Sequence, residues 1–276
     1  MVVYAGQGDP RRSMALLWRA RQDTAEHTAP GPKPELSIDL VVETAIEVAD
    51  TDGMAALSMR AVGERLNRTA MSLYTYVASK NELVDLMYDH AFAEIVTGSS
   101  PTALAAEAAR AGDDWRAATT AWAVRLWRFY LRHPWSLRVS HARPVLGPNE
   151  YALFEALAAV LHRAGLPPKE ITWAHGSLYY LVRGVVSTAA EARHSPAVTG
   201  VAEDEWWYER SAELEKVSPG FSEHFPTLTL MAEQGAFDNE NPNEPYLEQE
   251  AWETFHFGLG ALLDGIERRL LPRTDR

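Results

Sequence analysis

SMRAVGERLNRTAMSLYTYVASK, residues 58–80, has the pattern of two short helices joined by a tight turn. Ser58 is a favoured N-cap residue, so it predicts the start of the first helix, whose small and aliphatic side chains form a packing face. Asn67 predicts the turn, because asparagine tolerates a left-handed φ. Thr69 predicts the start of the second helix, which is expected to end near Val77. This arrangement is typical of a helix-turn-helix, in which the second helix lies in the major groove of DNA.

Helical patterns continue on both sides of this stretch. Ser37 and Ser79 can cap the flanking helices, and Gly53 can end the first of them. No run of alternating apolar and polar residues between turn signals predicts a strand, so the expected fold is all-α. The remaining helices are expected at 13–24, 113–132, 149–164, 167–194, 221–234 and 246–271, with an acidic segment at 195–218.

Proline-rich and polar breaks predict three parts of the chain. A leader over residues 1–35 precedes a three-helix helix-turn-helix domain over 36–80, and a larger helical domain over 81–276 follows. The leader is expected to be either a disordered segment or a basic arm that touches phosphates or a minor groove. The basic residues of that arm are Arg11, Arg12, Arg19, Arg21 and Lys33.

The charge distribution favours one DNA-facing surface on an otherwise acidic protein. The chain has 26 Lys and Arg against 38 Asp and Glu, a net charge of −12. Residues 58–80 hold four basic residues and one acidic residue, a net charge of +3, which leaves −15 for the rest. Because DNA is a polyanion, the basic segment attracts it and the acidic surface repels it. The expected partner is double-stranded DNA, bound in one orientation.

Composition also excludes several classes of protein. The chain contains no cysteine, which rules out disulfides, cysteine nucleophiles and thiolate metal sites. No apolar run approaches the ~20 residues needed to span a bilayer, and the N-terminus lacks the pattern of a signal peptide. These features predict a cytoplasmic protein with no membrane partner.

The outer side of the second helix carries short hydroxyl side chains, a methionine and tyrosines. The hydroxyls can reach phosphates or base edges, Met71 can contact a thymine methyl, and the phenol of Tyr74 suits a phosphate oxygen. Lys80 adds a positive charge at the N-terminus of the next helix, which already attracts anions. A buried helical hairpin with a polar surface is the alternative interpretation. The predicted DNA-binding residues are Ser58, Arg60, Arg68, Thr69, Ala70, Met71, Ser72, Tyr74, Thr75, Tyr76 and Lys80.

The stretch LSMRAVGERLNRTAMSLYTYVASKNELVDLM, residues 57–87, closely resembles the DNA-binding domain of the tetracycline-repressor (TetR) family. Asn67 stands where glycine is commonest in that family. The N-terminal run RRSMALLWRARQ before PGPKP is similar to the leader of an actinobacterial branch of the family, and residues 225–228 and 257–266 are similar to its regulatory domain. The matching positions of the DNA-binding domain are Gly53, Ala56, Leu57, Ser58, Met59, Val62, Leu66, Leu73, Tyr74, Tyr76, Val77, Lys80, Glu82 and Leu83.

This resemblance implies a repressor that binds a palindromic operator as a homodimer and is released by a small apolar or aromatic effector. It implies no catalytic activity, and the sequence suggests no cofactor. We further expect ligand binding to move the helix at 79–96, to change the separation of the two recognition helices and so to lower operator affinity.

Two later helices are suited to the dimer interface that the resemblance implies. Residues 170–192 and 246–271 repeat large apolar side chains at helical spacing, and glycines among them permit close helix approach. The alternative is that these stripes face the core of the single chain. The predicted interface residues are Leu178, Val182, Val186, Phe255, Leu259, Leu262, Leu263 and Ile266.

The helix at 113–132 is unusually aromatic and points to a ligand site. An apolar cavity with a few polar groups is the usual form of a small-molecule pocket, whereas a plain aromatic core is the alternative. The predicted ligand-binding residues are Trp122, Trp127, Tyr130, His133, Phe154, Trp173, His175 and Tyr179.

Other function classes find less support in the sequence. An α-helical enzyme is the main alternative, but the chain has no G-x-S-x-G, no H-E-x-x-H and no glycine-rich phosphate loop. A metal sensor without cysteine would need a site built from His, Asp and Glu side chains. The spacing of these residues in the sequence suggests no such site. A purely structural interaction protein would not need a basic segment in an acidic chain.

Overall fold

The computed structural model describes residues 3–23, 36–97, 114–239, 241 and 244–271. The all-α prediction is confirmed, because these residues form helices and no strand, apart from an isolated bridge between Val3 and Val139. No helix in these ranges is long and apolar enough to cross a membrane. The helices are α1 Pro10–Asp23, α2 Ile38–Asp52, α3 Met59–Arg65, α4 Ala70–Leu73, α5 Lys80–Thr97, α6 Trp115–Arg132, α7 Pro148–Arg163, α8 Pro168–Thr199, α9 Glu203–Val217, α10 Phe221–His224, α11 Pro226–Glu233 and α12 Tyr246–Leu270, and a 3-10 helix spans Pro134–Arg138.

The helix-turn-helix begins and turns where the sequence predicts. The hydroxyl of Ser58 accepts a hydrogen bond from the N–H of Ala61 at 3.1 Å, and that of Thr69 accepts one from the N–H of Ser72 at 3.3 Å. These caps satisfy backbone donors that have no partner inside the helix. Asn67 has φ of 52°, the left-handed conformation that the turn requires.

The second helix of the motif is shorter than predicted. α4 ends at Leu73, and the N–H groups of Tyr76 and Val77 both donate to the Leu73 carbonyl, at 2.9 and 3.0 Å. The chain therefore continues in turns rather than as α-helix. We call residues 69–77, which comprise α4, its cap and these turns, the recognition segment.

The chain after residue 199 differs from the sequence prediction in two places. Residues 203–217 were expected only as an acidic segment, but they form α9, whose three acidic residues in the first turn favour the helix N-terminus. The single helix predicted at 221–234 is divided into α10 and α11, because Pro226 has no N–H with which to continue α10.

Helix α5 is the centre of the first of two compact units, which comprises residues 1–183 and 261–276. Every residue from Glu82 to Asp89 is buried. This burial on all sides of the helix follows from its contacts with α1, α2, α6 and α7. α5 therefore connects the helix-turn-helix directly to the helices of the larger domain.

The second unit, residues 184–260, has a small buried core and many exposed apolar side chains. Ala189, Ala251 and Phe255 are among its buried residues, each no more than 5% exposed. α9 to α11 keep their large side chains outside this core. Those at least 42% exposed, in these helices or at their ends, include Trp206, Trp207, Tyr208, Leu214, Val217, Phe225, Leu228 and Leu230.

Candidate nucleic-acid interface and aromatic cluster

The recognition segment has one buried side and one exposed side. Leu73 and Val77 are fully buried, whereas the Met71 and Tyr74 side chains are 76% and 45% exposed. A methionine exposed to this degree at the surface of a short helix has no packing role within the single chain. The exposed side is therefore available to a DNA groove.

A glycine brings the two helices of the motif into backbone contact. The N–H of Arg68 donates to the carbonyl of Gly63 at 2.8 Å, and a Cβ at position 63 would lie 2.7 Å from the Arg68 carbonyl oxygen and 3.3 Å from the Ala70 nitrogen. Only glycine fits this approach without displacing backbone. The sequence reasoning did not single out Gly63, although a glycine inside a predicted helix is a signal of close packing.

Several of the predicted DNA-binding groups also bond within the protein. The hydroxyls of Ser72 and Thr75 donate to the carbonyls of Thr69 and Ser72, at 2.7 and 2.6 Å, so they remain available mainly as acceptors. The exposed Arg60 guanidinium donates to Glu64 at 2.7 Å one helical turn away. The Ser58 hydroxyl serves as the cap described above.

The other predicted DNA-binding residues differ in exposure. Lys80 is exposed at the first position of α5, and Arg68, Thr69 and Thr75 are exposed along the recognition segment. Ala70, Ser72 and Tyr76 are half-buried. Residues 68–76 and Lys80 are therefore presented together, but contact of any of them with DNA stays a prediction.

Lys80→Ala and Tyr74→Phe should weaken binding to all DNA sequences rather than change the preferred one. Each residue is predicted to contact a phosphate and no base, so we expect a loss of about 0.5–1.5 kcal/mol in each case. Lys80→Ala should also reduce the slope of log affinity against log salt by about one. Arg163→Ala, which removes one exposed positive charge from α7, is the matched control and should change neither quantity. An equal loss in Arg163→Ala and Lys80→Ala would show that only net charge matters.

Three buried phenols and a guanidinium form the polar centre of the larger domain. The Tyr130 hydroxyl donates to the Tyr179 hydroxyl at 2.7 Å, and the Tyr88 hydroxyl lies 3.2 Å from that of Tyr179. Arg183 donates to the Tyr130 hydroxyl at 3.4 Å, and its guanidinium carbon lies 5.5 Å from the centroid of the Tyr130 ring. Burial raises the pKa of Tyr88 and of Tyr179 well above 10, so both phenols stay protonated.

Two histidines extend this centre towards the protein surface. His141 stacks on Tyr179 with ring centroids 4.4 Å apart. The ring centroids of His175 and Phe154 are 4.2 Å apart, and Phe154 is 38% exposed. Burial lowers the pKa of His141, and burial followed by repulsion from His141 lowers the pKa of His175 to about 4. Both imidazoles are therefore neutral at physiological pH and can each donate and accept one hydrogen bond. We call Tyr88, Tyr130, His141, Phe154, His175, Tyr179 and Arg183 the aromatic cluster.

Most of the predicted ligand residues fall in or beside the aromatic cluster. Trp122 lies against His175 with ring centroids 5.7 Å apart and donates to the Leu153 carbonyl at 3.1 Å. Trp127 is buried, and Trp173 is 58% exposed on the outer side of α8. Tyr130, Phe154, His175 and Tyr179 belong to the cluster itself. The sequence reasoning missed Tyr88 and Arg183, because neither belongs to the aromatic stripe of α6.

His133 lies apart from the cluster, at a junction of three helices. It is 6% exposed; its Nδ1 lies 2.8 Å from Asp50 of α2 and its Nε2 lies 3.3 Å from Glu94 of α5. Asp50 also accepts a hydrogen bond from the Trp135 indole at 2.8 Å, and Glu94 pairs with Arg132 at 2.8 Å. Because both ring nitrogens face carboxylates, His133 links helices rather than faces a cavity.

The stability of this junction should depend on pH. Burial lowers the pKa of His133, but the hydrogen bonds and charges of Asp50 and Glu94 outweigh burial and raise it above 6.5. The stabilisation by His133 is therefore complete below pH 6.5. It is lost as the pH rises through the higher pKa that His133 has in the native state. His133→Gln should cost about 1–3 kcal/mol at pH 6 and less at pH 9, measured by urea unfolding. A deficit that does not shrink with pH would contradict a cationic His133.

The side chains predicted for the dimer interface are mostly core residues of the single chain. Leu178, Val182, Val186, Phe255, Leu259, Leu263 and Ile266 are each no more than 6% exposed. In the single chain these side chains pack in the core, as in the alternative interpretation, and their contact with a partner subunit stays a prediction. Leu262 is half-buried and lines a groove of 350 Å³ between α8 and α12. The outer side of α8 beside this groove exposes Trp173 and Tyr180, 58% and 60%.

The capped helices, the turn between them and the exposed side of the recognition segment are the features of a helix-turn-helix DNA-binding protein. The separate polar aromatic cluster makes this protein a regulator with a second site. The family model for the tetracyclin repressor-like C-terminal domain matches residues 108–270, more than half of the chain. The chain belongs to the TetR family of transcriptional regulators. This membership makes it a regulator and not an enzyme.

Individual relatives agree with this assignment. The HTH-type transcriptional repressor DrrR1 of Streptomyces coeruleorubidus is 34% identical over 263 residues, which cover 95% of this chain and 87% of the relative. An HTH-type transcriptional regulator of Saccharopolyspora erythraea is 35% identical over 162 residues, 59% of this chain and 64% of that protein. The fold is also that of apo ActR from Streptomyces coelicolor, with a TM-score of 0.62 at 22% identity over 86% of this chain and all of ActR.

Proposed function

We propose that this chain represses transcription by binding a palindromic operator as a homodimer and releases it when a small aromatic effector binds. The exposed side of the recognition segment carries this proposal, because Met71 and Tyr74 project from it while Leu73 and Val77 anchor it from beneath. We further propose that the protein acts in the cytoplasm, where its DNA target lies.

A dimer is needed because one recognition segment is too short to specify a site. α4 is four residues long and reaches few base pairs, so two copies on adjacent half-sites supply the specificity of an operator. The second copy is expected to pack on the exposed side of α8 and α12, where Trp173, Tyr180 and the groove lie. Arg269 and Glu170, which line this groove, form an ion pair at 3.3 Å and fix its edge.

The aromatic cluster is the proposed effector site. Its rings favour a planar apolar ligand, and the phenols, the Arg183 guanidinium and the neutral histidines can bond to oxygen substituents on that ligand. The structural neighbour ActR has been solved in complex with actinorhodin and with (S)-DNPA. We therefore infer an oxygen-substituted aromatic effector for this chain.

DNA binding is tested with the purified full-length chain and duplexes selected from a random-sequence library. We expect selection of an inverted repeat, and a complex of two chains with one duplex by mass measurement. A scrambled duplex of the same composition serves as the control and should bind at least about a hundredfold more weakly. Equal affinity for selected and scrambled duplexes would contradict an operator-binding function.

The effector class is tested on the same complex with actinorhodin as the probe. Saturating actinorhodin is expected to lower operator affinity about tenfold, the range of ordinary allosteric coupling. Tyr179→Phe removes the hydroxyl shared by two neighbouring phenols and should reduce this effect without changing operator affinity in the absence of the probe. Operator affinity unchanged by the probe would contradict an actinorhodin-like effector and would leave DNA binding intact.

A further inference from the structure

We propose that residues 3–23 form a brace that couples the aromatic cluster mechanically to the recognition segment. The inference rests on the proposed function, since it takes the cluster as the effector site and the recognition segment as the operator contact. Val3 of the brace bonds beside the aromatic cluster and Arg12 of the brace bonds beside the recognition segment, in both cases to backbone that lies outside the long helices.

One end of the brace is bonded to the segment 136–141, which ends at His141 of the aromatic cluster. The N–H of Val3 donates to the Arg138 carbonyl at 2.9 Å, and the N–H of Ser140 donates to the Val3 carbonyl at 2.7 Å. From the opposite side, Arg183 donates to the carbonyls of residues 137 and 139, both at 2.7 Å. His141, at the end of the same segment, stacks on Tyr179. A ligand that displaces His141 or Arg183 therefore acts on the backbone that holds Val3.

The brace also contacts α5 and the loop before α7, through residues on either side of Arg12. Ala5 is fully buried, and Leu17 is 5% exposed. The N–H of Gly6 donates to the carboxylate of Asp85, itself 3% exposed, at 3.0 Å. The Trp18 indole donates to the Leu146 carbonyl at 3.0 Å. These contacts make the segment a packed element and allow it to transmit a displacement.

Arg12, in the first turn of α1, contacts the recognition segment and the start of α5. Arg12 donates to the Tyr76 carbonyl at 3.4 Å, and its Nε lies 3.4 Å from the buried carboxylate of Glu82. Glu82 in turn accepts a hydrogen bond from the N–H of Ala78 at 2.6 Å. Arg12 therefore holds the turn that follows α4 from both sides. Arg19 forms an ion pair with Asp39, next to the N-terminus of α2.

These ion pairs favour a brace over the basic, DNA-contacting arm that the sequence also predicts for the leader. Arg12 and Arg19 already face carboxylates, which compete with phosphates for the same donors. Arg21 and Lys33 have side chains outside the described residues. Coupling is reciprocal between the two binding free energies, so an operator that is coupled to the aromatic cluster through the brace is expected to change the stability of the segment 136–141. DNA alone can therefore test the proposal.

The experiment measures amide hydrogen exchange of the full-length chain with and without its selected operator duplex. Arg12→Ala breaks the brace at its DNA-side end, and Arg11→Ala, an exposed neighbour with the same loss of charge, is the matched control. Trp18→Phe replaces the indole by a phenyl ring and removes the donor to Leu146, so it loosens the anchorage of α1, the helix that carries Arg12. The reporter is the Ser140 amide, which bonds to Val3 at the far end.

In the wild type and in Arg11→Ala, the operator should slow exchange at Ser140 at least about threefold. In Arg12→Ala and Trp18→Phe this response should disappear, while exchange in the recognition segment is still slowed by DNA. Arg12→Ala should weaken operator binding about three- to tenfold with an unchanged salt slope. A retained Ser140 response in both variants overturns the brace, and a salt slope reduced only in Arg12→Ala assigns Arg12 to a phosphate instead. No operator binding by the wild type overturns the proposed function, and the brace with it.

Discussion

Gly63→Ala is expected to weaken operator binding at least about tenfold. The added Cβ would lie 2.7 Å from the Arg68 carbonyl oxygen, and its other near neighbour at 3.3 Å is also backbone, so no side chain can move aside to accommodate it. α3 and the recognition segment must then separate by a fraction of an ångström or more. We expect a loss of about 1–3 kcal/mol in unfolding free energy, as for other overpacked contacts, and a fall of at least about tenfold in operator affinity.

The control for this prediction is Glu64→Ala, at an exposed position on the same helix. It introduces the same residue, alanine, and removes only an exposed pair with Arg60, so stability should change by less than about 0.5 kcal/mol. Thermal unfolding and fluorescence anisotropy on the selected duplex measure both effects. Wild-type operator affinity in Gly63→Ala would contradict the close helix approach described for this motif.

Asp89→Ala is expected to be the most destabilising substitution in α5. The Asp89 carboxylate is 4% exposed and accepts hydrogen bonds from the N–H groups of Asn149 and Glu150, both at 2.9 Å, and from the Asn149 side chain at 3.0 Å. It thereby caps the N-terminus of α7, whose own N-cap, Gly147, has no side chain to do so. Removing the acceptor leaves buried donors unpaired and should cost about 2–4 kcal/mol.

The loss of unfolding free energy caused by Asp89→Ala should also depend on pH. Burial raises the pKa of Asp89 from 3.8 to about 6, more than the hydrogen bonds from Glu150 and Asn149 lower it. Asp89 therefore binds a proton more tightly in the native state than in the unfolded chain. The contribution of this protonation to the free energy of unfolding falls as the pH rises from 4 through 6. The difference in unfolding free energy between wild type and variant should be larger at pH 5 than at pH 7.5. Glu155→Ala, exposed on α7, should show neither the deficit nor the pH dependence.

The helix-turn-helix was predictable because its signals are local. Caps, the left-handed turn at Asn67 and the periodicity of the flanking helices depend on residues a few positions apart, and the structure has each of them. The extent of α4 was not predictable in the same way. Residues 74–77 have no local helix breaker, and their turn conformation accompanies long-range contacts such as that of Arg12 with the Tyr76 carbonyl.

The aromatic residues of the candidate effector site were predictable from the sequence, whereas the residues that bond to them were not. The aromatic stripe of α6 identified Trp122 and Tyr130, but Arg183 lies 53 residues from the phenol it contacts. His133 was grouped with the ligand residues because histidine suits a pocket. Its carboxylate partners, Asp50 and Glu94, are 83 and 39 residues away in sequence and became visible only in the fold.

The apolar stripes of α8 and α12 show why periodicity cannot assign an interface. A buried stripe is required for a core and for a dimer contact alike, so spacing alone does not distinguish the two. Exposure in the single chain adds which large side chains remain open to a partner. Leu178 and Phe255 are fully buried, whereas Trp173 and Tyr180 on the outer side of α8 are more than half exposed.

The most direct test of the central claim, that the exposed side of the recognition segment reads DNA, is the base preference of Met71→Ala. The variant and the wild type are each selected against the same random-sequence duplex library, and Lys80→Ala serves as the control. Met71→Ala is expected to relax the preference at one symmetric pair of positions, one in each half-site, while Lys80→Ala keeps the wild-type preference at lower affinity. An unchanged base preference at every position in Met71→Ala would contradict the proposed orientation of the recognition segment on DNA.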